Sequence, residues 1–189
     1  MSTNSLLEAI ENYKVNYYDI QGKNSFFFKK SQKLECAKEI SKNFDLETMI
    51  NGTIYTVPET NRIIFNYPVF KLYANPDNYE AVVQGVLNVY DQVLKTFPDF
   101  EAHVILEGFT ISAAERYKEV IKLFCQKCMT SNTNYAVATK AMHIYYTPSM
   151  METISTLFRP FIDPTINERM VLYKKAESDE LLKKVTNEI

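Results

Sequence analysis

The side chains that could do chemistry are few in this chain. Its only histidines, His103 and His143, each fall within an apolar stretch that is typical of a strand. An imidazole in such a place is more often a structural residue held by hydrogen bonds than a catalytic base. Metal ligation would need further ligands, and the sequence supplies none at a recognisable spacing. We therefore interpret both histidines as structural and predict no catalytic residue and no metal ligand.

Three cysteines raise the question of zinc or redox chemistry. Cys125 and Cys128 form a CxxC motif within a predicted helix, where this spacing places both sulfur atoms on one face. A zinc site of this kind requires further ligands, and no second CxxC follows. An odd number of cysteines cannot pair completely, which is typical of a reducing compartment. We interpret both residues as half-buried core residues, predict no cofactor, and expect a cytoplasmic protein.

Other catalytic and nucleic-acid-binding signatures are missing. With four glycines, the chain contains no GxGxxG, no phosphate-cradling loop and no nucleophile elbow. Glu115 and Glu152 fall at predicted helix starts, where capping and the helix dipole explain them. The net charge of −2 disfavours a nucleic-acid partner, since phosphate binding needs a basic face. These patterns predict a protein that is not an enzyme and does not bind nucleic acid.

One aromatic and basic stretch could contact a membrane surface. Phe26, Phe27 and Phe28 precede Lys29 and Lys30, and aromatic rings beside cations can bind an anionic bilayer. Packing of the three rings in a core is the more common arrangement, and it is the interpretation that we favour. No apolar run approaches the ~18 residues of a membrane span, and the N-terminus lacks the pattern of a signal peptide. We expect an intracellular protein that is soluble or peripherally associated with membranes.

The N-terminal fifty residues are predicted to be helical. Apolar residues recur at helical spacing over residues 5–18. Ser31 is the expected N-cap of a second helix, and a helical turn over residues 46–50 is expected to stop at the following Asn-Gly pair. Residues 53–57 and 62–72 then have the composition of two extended stretches that could pair as a hairpin.

The next helix is marked at its start and along one face. Residues 75–77, Asn-Pro-Asp, combine an N-cap, a first-turn proline and an acid at the positive end of the helix dipole. Apolar residues at helical spacing, among them Val82, Val86 and Tyr90, predict a helix that runs to about residue 97 and buries this face.

Downstream, predicted strands and helices alternate. Strands are expected around residues 102–106, 142–146 and 170–173. Capping boxes that begin at Ser112 and Ser149 start the helices between them. Alternation with helical connections predicts a mostly parallel sheet with right-handed crossovers.

The predicted fold class is α/β, with helices packed around a mostly parallel β-sheet and preceded by N-terminal helices. We expect a helical region at 1–50 to pack on an α/β domain at 51–189, the two forming a single globular unit.

The stretch at residues 157–173, LFRPFIDPTINERMVLY, carries a family resemblance. Together with the upstream MHIYYTPSM and the downstream ESDELLKKV, it resembles the CRAL-TRIO (Sec14-like) lipid-binding domain. That family has a strand ending in Asn-Ala-Pro, a helix running into a Lys-Pro-Phe-Leu-Asp turn, a Lys-Ile strand and a Leu-Leu helix. The resemblance implies non-catalytic binding or transfer of a lipid or other hydrophobic small molecule. It also implies a sheet that floors an apolar pocket and a gate helix that begins around residues 161–163.

The resemblance implies a ligand site near this end of the chain. The pocket is expected to be lined by apolar and aromatic side chains: Ile144, Tyr146, Phe158, Phe161 and Ile162.

A lipid phosphate is expected to meet Thr165 and Arg169, which lie near the positions of a phosphate-binding Thr and Lys in phosphoinositide-binding members. The threonine position itself is Ile166, and Val137 stands where those members carry a glutamate that contacts inositol. The resemblance therefore implies a lipid ligand without implying phosphatidylinositol. A surface role for Arg169 at a strand entrance is the alternative.

Two other functions are compatible with the same fold. One is a structural or scaffold subunit of a larger assembly that keeps the CRAL-TRIO fold without lipid exchange and binds protein partners. The other is a GTPase-regulating interaction module like the BCH branch of the superfamily, for which the sequence contains no decisive motif. The lipid-binding function is the leading prediction.

Overall fold

The N-terminal region is helical, as predicted. The computed structural model describes residues 3–23 and 28–187. Three helices precede the sheet: α1 (Thr3–Gln21), α2 (Lys29–Asn43) and α3 (Leu46–Thr53).

Two boundaries predicted in this region are wrong. Ser31 lies inside α2, where its hydroxyl donates to the Phe28 carbonyl oxygen at 2.9 Å, and no side chain caps this helix. Helix α3 does not stop at the Asn-Gly pair but continues through Gly52 to Thr53. The Thr53 hydroxyl donates to the Met49 carbonyl oxygen at 3.0 Å, which satisfies an acceptor in the last turn of the helix.

A five-stranded sheet organises the rest of the chain, and it confirms the predicted fold class. The strands follow in sequence order across the sheet, with the first pair antiparallel and the other pairs parallel. They are β1 (Ile54–Thr56), β2 (Arg62–Asn66), β3 (Phe100–Ile105), β4 (Thr139–Tyr145) and β5 (Met170–Leu172).

Helices form each parallel connection, and a last helix follows β5. They are α4 (Tyr67–Tyr73), α5 (Tyr79–Leu94), α6 (Ile111–Arg116), α7 (Lys118–Thr130), α8 (Tyr135–Ala138), α9 (Met151–Phe158), α10 (Pro164–Glu168) and α11 (Lys175–Asn187). Right-handed crossovers that advance in one direction place their helices on the same face of a sheet. The sheet therefore has one face covered by the crossover helices.

The second extended stretch, predicted over residues 62–72, is only half correct. Strand β2 ends at Asn66, whose side chain accepts a hydrogen bond from the Val69 amide at 3.4 Å and caps α4. Pro68 lies in the first turn of that helix, where its missing amide hydrogen costs nothing. The apolar residues after Asn66 belong to a short buried helix.

Two predicted helix starts are also wrong. Helix α5 begins at Tyr79 and not at Pro76. Asn75 is buried and starts a turn before the helix, in which its side-chain oxygen accepts from the Asp77 amide at 3.1 Å and its side-chain amide donates to the Tyr73 carbonyl oxygen at 2.9 Å. The cap of α6 is Thr110, whose hydroxyl accepts from the Ala113 amide, and not Ser112.

The short helices on either side of β4 depart from the prediction in detail. Helix α9 begins at Met151 without a side-chain cap, so Ser149 does not form the expected capping box. Helices α8 and α10 are single turns capped by Asn134 and Asp163, too short to show a periodic apolar pattern in the sequence.

The two faces of the sheet carry different side chains, because successive residues of a strand point to opposite sides. The side under the crossover helices carries Phe65, Val104 and Met142, and we call it the cavity face. The opposite side carries His103 and His143, which are direct partners across β3 and β4, and we call it the histidine face. Helix α11 lies on the histidine face.

The aromatic and basic stretch is only partly described. Phe26 and Phe27 lie outside the described residues, whereas Phe28 is 64% exposed and followed by two exposed lysines. Within the described ranges, the structure contains no helix with the length and apolar character needed to cross a membrane.

Candidate ligand-binding site

An apolar cavity of about 230 Å³ lies between the cavity face and three helices, α4, α5 and α7. Its walls are aliphatic and aromatic side chains with one methionine. The lining residues are Phe65, Tyr67, Phe70, Val82, Val83, Val86, Tyr90, Val104, Leu106, Phe109, Tyr117, Val120, Ile121, Phe124 and Met142.

The strand residues under this cavity are unusual in their exposure. Phe65, Val104 and Met142 lie on inner strands and face helices, yet each remains only half-buried. Protein interiors are normally packed as densely as organic crystals, with few voids larger than a water molecule. The half-burial therefore reflects space that the protein's own side chains do not fill.

Cations lie against the polar edge of the cavity wall. The Lys71 ammonium is 5.6 Å from the ring centre of Tyr67, and the Arg116 guanidinium carbon is 5.4 Å from that of Tyr117. Burial lowers the pKa of Lys71, and burial together with Arg116 lowers the pKa of Lys33. The Arg116 Nε is buried and has no hydrogen-bond partner among the described residues. An anion near these groups would relieve the crowding of positive charge.

Residues 58–189 match the sequence profile of the CRAL/TRIO domain. The chain belongs to the CRAL/TRIO domain family. The match covers β2 to β5 and every helix that encloses the cavity, so it confirms the resemblance seen in the sequence. Domains of the CRAL/TRIO family bind lipids or other small hydrophobic ligands and are generally not catalysts. A comparison with curated proteins gave no match.

In this CRAL/TRIO domain, none of the seven predicted ligand-binding residues is among those that line the cavity. Phe158, Phe161 and Ile162 lie together in a second apolar cluster with Ala114. Ile144 is buried on the cavity face, two residues beyond Met142 on β4. The structure thus brings three of the predicted residues together beside the cavity rather than in its wall.

The second cluster adjoins the cavity. Phe109 and Ile121 line the cavity and also pack against the cluster that contains Phe158. The Lys122 ammonium lies 5.2 Å from the ring centre of Phe161, which is half-buried in the turn after α9. A gate formed by this segment stays a prediction, and its position next to the cavity wall is compatible with that role.

The remaining predicted residues make contacts within the protein. The Tyr146 amide donates to the Ser178 hydroxyl at 2.8 Å, and its own hydroxyl donates to Asp179, so this residue attaches α11 to the end of β4. The Thr165 amide and hydroxyl donate to Asp163 at 2.9 and 2.7 Å.

Arg169 donates from Nη1 to the carbonyl oxygens of Ala136 and Thr139, at 2.8 and 2.7 Å. These bonds satisfy acceptors at the C-terminal end of α8, where a cation also meets the negative end of the helix dipole. Ligand contacts by Tyr146, Thr165 and Arg169 stay predictions.

The sequence did not predict that the cavity-lining residues form a binding site, although it predicted several of them to be buried. Val82, Val86 and Tyr90 stood on the predicted inner face of the helix after residue 75. Helical periodicity shows which face points inward but not whether the space in front of it is filled.

The CxxC cysteines are half-buried, as expected, and unbridged; Cys128 packs against the main core cluster. Burial raises the pKa of Cys125 to about 11 and that of Cys128 to about 12. Both thiols are therefore protonated and poorly reactive near neutral pH.

Proposed function

We propose that this CRAL/TRIO domain binds the acyl chain of a lipid, or a hydrophobic molecule of similar shape, in the cavity between the cavity face and helices α4, α5 and α7. One observation carries the proposal: an apolar cavity of about 230 Å³ whose strand residues are left half-buried. Each buried methylene contributes about 0.8 kcal/mol, so a short stretch of acyl chain supplies useful affinity.

An anionic headgroup fits the surroundings better than a neutral or cationic one. Lys71 and Arg116 lie against tyrosines of the cavity wall, and the Arg116 Nε has no partner in the described part of the chain. A guanidinium group binds carboxylate or phosphate oxygens with directed hydrogen bonds. Glu11 and Glu107 lie close enough to Lys71 to oppose part of this charge. We therefore favour a lipid with a single carboxylate or phosphate.

Catalysis is not part of the proposal. Among the residues that line the cavity, the only protic side-chain groups are tyrosine hydroxyls, and burial raises the pKa of the tyrosines at positions 67, 90 and 117. A neutral tyrosine beside apolar walls is a poor general base. The cavity is suited to holding a ligand, with exchange through movement of the α9 and α10 segment.

Native mass spectrometry of the purified protein tests this function directly. We expect a mass shift that matches a co-purified lipid, and solvent extraction should release a molecule with an acyl chain. Delipidated protein should then bind a fluorescent fatty acid with one-to-one stoichiometry. A protein that is reproducibly empty, and that binds no fatty acid after delipidation, would exclude the proposal.

The alternative of an interaction subunit is favoured by a separate observation. Strand β5 is the last strand of the sheet, and Val171 and Leu172 on it are 40% and 48% exposed. An edge strand with exposed apolar side chains is a ready site for pairing with another chain. Size-exclusion chromatography with light scattering decides this point, because a monodisperse monomer at working concentration contradicts self-association through β5.

A further inference from the structure

The histidine face brings the chain's two histidines into contact. His103 and His143 are paired residues on β3 and β4, and their rings stack with centroids 4.7 Å apart and planes at 14°. They are the only histidines in the sequence. Helix α11 covers the same region with Leu181, Lys184 and Val185, so the pair lies in a partly enclosed pocket of about 190 Å³.

Two tyrosines hold the imidazole rings in a common orientation. The Nδ1 of His103 is 2.9 Å from the Tyr145 hydroxyl, and the Nδ1 of His143 is 3.0 Å from the Tyr173 hydroxyl. With Nδ1 occupied in both rings, the remaining nitrogen of each ring is Nε2. In each histidine, the hydrogen bond between Nδ1 and the tyrosine hydroxyl holds the ring and therefore sets the position of Nε2.

One of these nitrogens is buried without a partner. His103 is 3% exposed, and its Nε2 makes no hydrogen bond in the structure of residues 28–187. The nearest carboxylate, Oε2 of Glu101, lies 3.9 Å away, which is too far for a hydrogen bond. Leaving a buried polar nitrogen unsatisfied costs free energy, so such an atom calls for a specific explanation.

We propose that Glu101, His103 and His143 bind a zinc-class divalent transition-metal ion. One oxygen and two imidazole nitrogens, all within 4.8 Å of one another, form the donor set. Two histidines and one carboxylate are a known zinc ligand set, which leaves a fourth position open to water. Bonds of about 2.1 Å in a tetrahedral site place ligand atoms about 3.4 Å apart, so donor atoms that are up to 4.8 Å apart must approach by up to about 1.4 Å. The stacked imidazole rings must also tilt, because a metal ion binds in the plane of each ring.

The tyrosines have the role that outer-sphere groups have at metal sites. When Nε2 binds a metal, Nδ1 carries the proton and donates it to a nearby oxygen, here the hydroxyl of Tyr145 or Tyr173. This arrangement favours the tautomer that ligation requires, in which Nδ1 carries the proton and Nε2 is free to bind the ion.

Neighbouring cations compete with the metal for the carboxylate. Lys140 is exposed and lies 3.1 Å from Oε1 of Glu101, while Arg62 Nε lies 3.8 Å from Oε2. Lys184 lines the same pocket from α11. Removing the Lys140 charge should therefore tighten metal binding. The proposal thus predicts a variant with higher metal affinity as well as variants with lower affinity.

Cobalt(II) titration of the untagged protein, followed by zinc competition, tests the site. We expect one equivalent of Co²⁺ to produce visible d–d absorption without a thiolate charge-transfer band, and Zn²⁺ to displace it. Replacement of a ligand, in His143→Gln or Glu101→Gln, should weaken binding roughly a hundredfold or more, and Tyr173→Phe about tenfold. Lys140→Gln should tighten it about two- to fivefold.

Two control variants separate this site from adventitious binding. Glu119→Gln removes an exposed carboxylate elsewhere, and the double variant Cys125→Ser with Cys128→Ser removes the CxxC motif; neither should change the affinity. Circular dichroism confirms folding of each variant. The proposal is wrong if folded wild-type protein takes up no Co²⁺, if affinity survives in His143→Gln, or if it disappears in the double cysteine variant.

Discussion

Replacing Val104 with phenylalanine tests whether the apolar cavity holds the ligand. Val104 lies on the inner strand β3, lines the cavity and is only half-buried. The larger ring would occupy the space of about two or three ligand methylenes, each worth about 0.8 kcal/mol of burial. The lost affinity is then about 1.6 to 2.4 kcal/mol, which corresponds to a Kd about 15- to 50-fold higher for a single-chain fatty acid.

The Val104→Phe variant should bind the ligand more weakly but should be at least as stable as the wild-type protein. The phenyl ring gains contacts where the wild-type protein has open space, and filling a cavity commonly adds about 0.5–2 kcal/mol to the free energy of unfolding. Fluorescence titration with a labelled fatty acid measures the affinity, and urea denaturation of the ligand-free protein measures stability. Weaker binding by a protein that is at least as stable cannot be attributed to unfolding.

Val171→Phe is the matched control, because it makes the same substitution on β5, away from the cavity lining, at a side chain that is 40% exposed. We expect wild-type affinity from this variant. If Val104→Phe is folded and binds the fatty acid as tightly as the wild type, the ligand does not occupy the cavity. An equal loss of affinity in Val171→Phe would also refute the assignment, since the effect would not depend on the cavity.

Three further predictions follow from contacts in the structure. Arg169→Met should lower the free energy of unfolding by about 1–2 kcal/mol, because carbonyl oxygens at the end of α8 lose a charged donor; unchanged stability with weaker binding of anionic lipid would instead support a headgroup contact. Alkylation of Cys125 by iodoacetamide at pH 8 should be roughly a hundredfold slower than that of an exposed cysteine. The rate should increase as the pH rises toward the Cys125 pKa of about 11. Fast labelling of the folded protein would contradict the burial of this thiol. Thr110→Ala should destabilise the protein by about 1 kcal/mol through loss of the α6 cap, whereas Ser112→Ala should have little effect; urea denaturation of both variants identifies the true cap.

Strong local patterns in the sequence predicted the fold class. The alternation of apolar strands with helical segments predicted the parallel sheet, and the LFRPFIDPTINERMVLY stretch indicated the family. Errors fell where a side chain had two possible partners. Ser112 and Thr110 can both cap a helix start. Asn75 accepts from the Asp77 amide and also donates to the Tyr73 carbonyl oxygen, which places it in a turn before α5 rather than at the helix start. Only the folded structure decides between such partners.

The cavity could not be predicted, because the spacing of apolar residues in the sequence does not show how much of the space between helices and sheet the side chains fill. A valine that faces an empty space and a valine that faces a packed neighbour have the same periodicity in the sequence. From the family resemblance, Phe158, Phe161 and Ile162 were predicted to line the ligand pocket. They lie together, but in an apolar cluster of their own. The cavity adjoins this cluster, and Phe109 and Ile121 contact both.

One extra residue in β4 determines what each face of the sheet carries. Phe100 pairs with Thr139 but Glu101 pairs with Ala141, so Lys140 is accommodated as an irregularity between β3 and β4. Without it, His103 would pair with Met142, and because side chains alternate between faces, His143 would lie on the cavity face. The irregularity therefore moves a polar imidazole away from the apolar cavity, places Met142 in the cavity lining and sets both histidines beside Glu101. The apolar cavity and the proposed metal site thus depend on the same register, which explains why neither could be predicted from residue spacing alone.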